Sequence, residues 1–179
     1  MKLLDLLRGV RPQRVAGSTD VEISDLRHDS RDIQAGELFF AIPGAKTDGN
    51  RHVRQACAAG AAAIVSELEP PPAPVSLNAS WVQVADIAEA MGIMADTFFG
   101  HPSGAMTVVG VTGTNGKTTT TFFLESIAAA CGQVPGVIGT VDYRLAGRRL
   151  AGAPNTTPVS LELHRLLARF RAGGAGLAA

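Results

Sequence analysis

A chain of 179 residues can hold one large domain or two small ones. Its composition, 46% hydrophobic, 18% charged and only 5% aromatic, excludes a disordered chain and fits a globular protein with an alanine-rich core. Sixteen basic residues balance sixteen acidic ones, so no basic face is implied and nucleic acid is not an expected partner.

At the N-terminus, MKLLDLLRGVRP has one lysine and a short apolar run that Asp5 and Arg8 interrupt, with no small-residue cleavage site after it, unlike a signal peptide. No apolar run reaches the roughly 18 residues needed to cross a bilayer. A cytoplasmic protein without a membrane partner is expected. Val21 to Leu26, Glu37 to Ile42 and Ala61 to Val65 read as short strands, with a helical segment Asn50 to Ala59 between the second and third, a β-α-β rhythm. Cys57, and Cys131 farther on, sit in no metal-ligand spacing and are expected to be small buried hydrophobes. The proline-rich stretch Pro70 to Ser76 reads as a loop. Trp81 to Val84 is a further strand, leading into a helix that Asp86 caps with Glu89 three residues on. Ile87, Ala90, Met91, Met94, Ala95 and Phe98 form its apolar face, Gly100 ends it, and residues 101–104 read as a linker.

Beyond the linker, Met106 to Val111 is an apolar, β-branched run of the kind buried on both faces of a parallel sheet. It runs into Gly113-Thr114-Asn115-Gly116-Lys117-Thr118-Thr119, after which a helix extends to about Cys131-Gly132. Phe122, Phe123 and Ile127 on that helix read as core residues. Val137 to Val141 is the next parallel strand, and Tyr143 to Leu150, with Gly147 inside it, reads as a hairpin. Thr157-Pro158 starts a helix carrying Leu163, Leu166, Leu167 and Phe170, which Gly173-Gly174 stops, and Ala175 to Ala179 begins another strand.

The glycine stretch is the most specific signal. A strand that turns sharply into a helix brings backbone N–H groups and the helix N-terminus onto one anionic point. Lys117 would reach the β- and γ-phosphates of a nucleotide, and the Thr118 hydroxyl would hold the Mg²⁺ that bridges them. The strict phosphate-loop pattern requires glycine at position 111, where this chain has Val111. The bland alternative is a glycine-rich turn with an exposed lysine.

TGTNGKTTT after a strand, with Asn155-Thr156-Thr157-Pro158 farther on, resembles the Mur ligases of peptidoglycan synthesis. The similarity is to the branch that adds the third amino acid to UDP-N-acetylmuramoyl-L-alanyl-D-glutamate. His28-Asp29-Ser30-Arg31, GELFFAIPG at 36–44, Thr47-Asp48-Gly49 and GAAAIV at 60–65 resemble that family's UDP-binding domain, and Val111 matches its form of the loop. The resemblance implies an α/β fold with a small UDP-binding domain over residues 1–103. From residue 104 it implies the start of a doubly wound, parallel-sheet ATPase domain that looks truncated.

The activity so implied is ATP-dependent amide ligation through an acyl phosphate, with ATP and Mg²⁺ as cofactors. Meso-diaminopimelate or L-lysine would be added by a C-terminal domain that the chain lacks, so it is expected to be inactive alone. Gly113, Thr114, Asn115, Gly116, Lys117, Thr118 and Thr119 would hold ATP, with Lys117 catalytic and Thr118 on the metal. His28, Ser30, Ala45, Lys46 and Thr47 would contact the uridine end of the substrate, and Asn155, Thr156 and Thr157 its sugar and peptide portion. Lys46 also reads as an exposed loop lysine, Thr157 as a helix cap, and Asp29 with Arg31 as a local ion pair. His52, His101 and His164 match no catalytic position and read as surface or capping residues. Two alternatives stay open: the next ligase of the pathway, which adds D-Ala-D-Ala, and a non-catalytic module that binds a UDP-sugar peptide or a nucleotide.

Overall fold

The computed structural model describes residues 1–44, 48–70, 78–152 and 157–179. They form two compact units, Met1–Phe98 and Phe99–Ala179, each with its own sheet. Among the described residues no helix is long and apolar enough to cross a membrane.

The first unit opens with a short helix α1 (Leu3–Leu6) and strands β1 (Arg14–Ala16), β2 (Leu26–Arg27) and β3 (Leu38–Phe40). A 3-10 turn over Gly49–His52 runs into α2 (Val53–Ala58), followed by β4 (Ala63–Ser66), β5 (Ser80–Gln83) and α3 (Ile87–Phe98). The sheet order is β1-β5-β4-β3-β2, with β2 to β5 parallel and β1 antiparallel on β5. Alternation along the strands sends Phe39, Ile64 and Trp81 into a cluster with Ile33, Val53 and Ala56. Leu38, Phe40, Val65 and Val82, pointing the other way, are equally buried. The expected β-α-β rhythm is therefore present, with two adjustments. Of the strand expected over Val21 to Leu26 only the last residue joins the sheet, because the backbone of 19–23 bonds to the N-terminal segment: Leu3 N–H donates to Val21 O and Ile23 N–H to Met1 O. The helix expected from Asn50 begins as a 3-10 turn. The cap on α3 forms as its sequence requires, with Glu89 N–H donating to Asp86 Oδ1 at 2.9 Å, and Glu67 Oε1 accepts from Ile87 N–H. The proline-rich stretch after Pro70 lies outside the described residues.

In the second unit a 3-10 turn over Pro102–Ala105 stands where a linker was expected. The guanidinium of Arg171 donates to the carbonyls of Gly100 and Phe99, at 2.7 and 2.9 Å, and pins the segment before it. Next come β6 (Thr107–Val108), α4 (Lys117–Ala130), β7 (Pro135–Ile138), β8 (Asp142–Leu145), β9 (Arg148–Gly152), α5 (Ser160–Ala172) and β10 (Leu177–Ala178). The sheet runs β6-β10-β7-β8-β9, parallel across β6, β10 and β7 and antiparallel across the β8–β9 hairpin. Leu167, Phe170, Ala175 and Ala178 form its core.

Four expectations are corrected here. β6 is not buried on both faces: among the described residues it is an edge strand bonded only to β10, and Val108 is 48% exposed. Phe123 and Ile127 are 64% and 61% exposed. The buried stripe of α4 is Thr121, Glu125 and Ala128, and a residue two positions on lies about 200° around a helix of 3.6 residues per turn. Cys131, just past the end of α4, is exposed and Cys57 is half-buried. Thr157 does not cap α5, because Val159 is extended (φ −61°, ψ 157°) and the helix starts at Ser160.

Candidate functional site

In the second unit, β6 feeds the chain through Val109–Thr112 into a loop in which Gly113 and Gly116 take φ of +146° and +81°, values that side chains rarely allow. The turn they permit places Lys117 at the first position of α4. Lys117 Nζ donates to the carbonyl of Gly113 at 2.5 Å, so its ammonium is held over the loop it closes. It is half-buried and lines a cavity of about 520 Å³. Gly113 and Thr118 line the same cavity, while Thr114, Asn115, Gly116 and Thr119 are exposed on the loop and the first turn of the helix. Thr118 Oγ1 lies 3.5 Å from Thr140 Oγ1, and Thr121 Oγ1 donates to Thr118 O at 2.8 Å. Thr157 reaches this cavity from the segment before α5. Thr140 escaped the sequence reading, although ligands gather beyond the carboxyl ends of parallel strands and it stands two residues past β7.

The first unit carries a second cavity, of about 510 Å³. His28, Ser30 and Arg31 line it from the segment after β2, and Gly44, Gly49 and His52 from the segment between β3 and α2. Phe39 and Ile42 supply apolar wall. Ser30 is buried and its hydroxyl donates to Gln55 Oε1 at a long 3.4 Å. Arg31 Nε donates to Asp29 Oδ1 at 2.9 Å, and that bond holds the Asp29 carboxyl down at about 2. The Arg31 side chain is 80% exposed, so this is the expected surface ion pair, which adds little stability. Ala45, Lys46, Thr47, Asn155 and Thr156, expected to touch substrate, lie outside the described residues. Among the described residues no group of three or more His, Cys, Asp or Glu could hold a metal ion by itself.

A parallel sheet whose strand turns through a glycine loop into a helix, with a lysine and a threonine on the first turn, defines the P-loop class of α/β fold. Two family models narrow the class: "Mur ligase family, catalytic domain" matches residues 22–99 and "Mur ligase middle domain" matches residues 111–179. The chain belongs to the Mur ligase family. It is 44% identical over 177 residues to the UDP-N-acetylmuramoyl-L-alanyl-D-glutamate--2,6-diaminopimelate ligase of Solibacter usitatus, covering 97% of this chain and 35% of the relative. A solved structure of a ligase of that name superposes with a TM-score of 0.75 at 22% identity, over 99% of this chain and 35% of that one. The MurF ligase of Thermotoga maritima, solved in complex with ADP, gives 0.58 at 20% identity, over 88% of this chain and 31% of that one. The chain thus spans about a third of the length of the relatives it matches.

Proposed function

We propose that this chain is the substrate- and ATP-binding portion of a cytoplasmic ligase that adds the third amino acid to UDP-N-acetylmuramoyl-L-alanyl-D-glutamate. The observation that carries the reading is the loop from Gly113 to Thr118, closed by Lys117 over the Gly113 carbonyl beside a cavity that both line, in a chain whose curated relatives bear that ligase name. In the proposed reaction the D-glutamyl carboxylate attacks the γ-phosphorus of ATP, giving an acyl phosphate and ADP. The amine of the incoming amino acid then attacks the acyl carbon, expels phosphate and forms the amide.

Catalysis of the first step rests on positioning and charge neutralisation. Lys117 supplies the cation, and the N–H groups of the loop and of the first turn of α4 supply fixed dipoles. The paired hydroxyls of Thr118 and Thr140 are hard oxygen donors of the kind Mg²⁺ accepts, and a bound Mg²⁺ would neutralise charge between the β- and γ-phosphates. In the first unit, His28 and Ser30 are assigned to the uridine end of the substrate, together with Ala45, Lys46 and Thr47. Asn155, Thr156 and Thr157 are assigned to its sugar and peptide portion.

Titration of the 179-residue chain with Mg·ATP tests the nucleotide site. Lys117→Ala should weaken ATP binding at least about tenfold, the loss expected for one charge-assisted contact to phosphate. Equal affinity in the variant and the parent would remove Lys117 from the site. Preference for UDP-dipeptide over UDP-tripeptide in the same chain separates this ligase from the one that adds D-Ala-D-Ala.

A further inference from the structure

The cavity of the first unit has a wall that its proposed ligands leave unused. The 3-10 turn Gly49–His52 is braced in three ways. Gly49 N–H donates to Ile42 O at 2.9 Å, and the two backbones lie so close that a Cβ on Gly49 would meet Ile42 N and O at 2.7 and 2.8 Å. Asp48 Oδ1 accepts from both the backbone N–H and the side-chain Nδ2 of Asn50, at 3.0 and 2.8 Å. The Asn50 Oδ1 in turn accepts from the Ser66 hydroxyl at 2.6 Å, and Ser66 is fully buried at the end of β4. A surface turn does not need its amide side chain tied to the core of a sheet. The tie fixes what the turn presents, and its last residue is His52.

His52 occupies the N-cap position of α2, and its side chain makes no capping hydrogen bond there. It is half-buried and lines the cavity with Ser30 and Gly49. An imidazole offers one donor and one acceptor when neutral and two donors when charged, so it suits the edge of a uracil ring or a diphosphate oxygen.

We propose that His52 is a further ligand-contacting residue of this cavity, bonding the uridine diphosphate group of the substrate, and that the Asp48–Asn50–Ser66 brace positions it. The inference rests on the substrate assignment made above and adds a residue and a positioning device to it.

Calorimetric titration of the 179-residue chain with UDP and with uridine tests it. The parent protein binds UDP, His52→Ala weakens that binding about tenfold, and His52→Gln, which keeps a donor and an acceptor, recovers part of the loss. Loss confined to UDP places the contact on the diphosphate, and loss with both ligands places it on the base. Ser66→Ala also weakens UDP binding but leaves ATP binding unchanged. It costs nothing further when His52 is already alanine, because the brace acts through that side chain. A parent protein that fails to bind UDP overturns the substrate assignment and this inference with it. Parent binding that His52→Ala leaves unchanged overturns this inference alone, and an additive Ser66→Ala effect in the His52→Ala background overturns the positioning role.

Discussion

Gly136 and Gly173 both face large side chains, and the difference between them decides what each would tolerate. A Cβ on Gly136, in the middle of β7, would press well inside van der Waals contact with several atoms of the Phe170 ring, which is fully buried. A Cβ on Gly173 would meet the tip of Leu145, the mobile end of a half-buried side chain. Overpacking a rigid core position costs about 1–3 kcal/mol. Gly136→Ala is therefore expected to lower the unfolding free energy by that amount, with Gly173→Ala close to neutral, both read from equilibrium urea unfolding. At this scale the sequence was informative where chemistry is local. Gly113 to Thr118 is one contiguous turn, so its spacing carries its geometry. His52, Phe39 and Ile42 share a cavity with His28 only after three separated segments are brought together, and no spacing records that. The one signal pointing to His52 was its place three residues after Gly49 in the Thr47-Asp48-Gly49 stretch.

Among the elements, the hairpin β8–β9 and the helices α3 and α4 were legible because each carries its own instructions: Gly147 in the turn, Asp86 at the cap, Lys117 after the glycines. Exposure was not legible, since a period-3.6 pattern shows that a helix has faces and not which neighbour is there to cover them. On α4 the buried stripe includes a carboxylate, Glu125, which takes a 3.1 Å bond from Arg144 Nε, while the apolar pair Phe123 and Ile127 faces outward. Phe123→Gln with Ile127→Gln should leave the unfolding free energy within about 0.5 kcal/mol of the parent, as for other exposed substitutions. Glu125→Ala, by contrast, should destabilise the protein by removing the carboxylate that Arg144 Nε bonds, leaving Arg144 with its bond to Gly147 O and its contact with the Phe122 ring. A large loss in the double glutamine variant would mean that those two side chains are covered in solution.

For the molecule as a whole, one proposed ligand cavity in each of the two units predicts two separable responses. A ligand that binds only the folded state suppresses local opening around its own site. Mg·ATP should slow amide hydrogen exchange in residues 110–121, and UDP in residues 28–44 and 49–55, with little crossover. Exchange mapped by mass spectrometry checks this, and protection of the first unit by ATP alone would count against the assignment of the two cavities. The change of texture past the 101–104 segment suggests a boundary between residues 103 and 104, and the two compact units divide at Phe98 and Phe99. The mixed character of the second sheet could not be read from the sequence, because strand order depends on which segments meet.

That strand order has a consequence for how the protein is made. β10 lies between β6 and β7, so among the described strands β6 has no partner, and β7 has only its antiparallel neighbour β8, until Leu177 and Ala178 arrive. Emerging from the ribosome, the first unit can close as soon as α3 is complete, whereas the phosphate loop must wait, its strand unpaired, through the synthesis of α4, the hairpin and α5. Joining β6 to the sheet across so long a span is slow, although β7, β8 and β9 can pair beforehand. Through that interval Val108 and Val109 stand unpaired and open to mispairing.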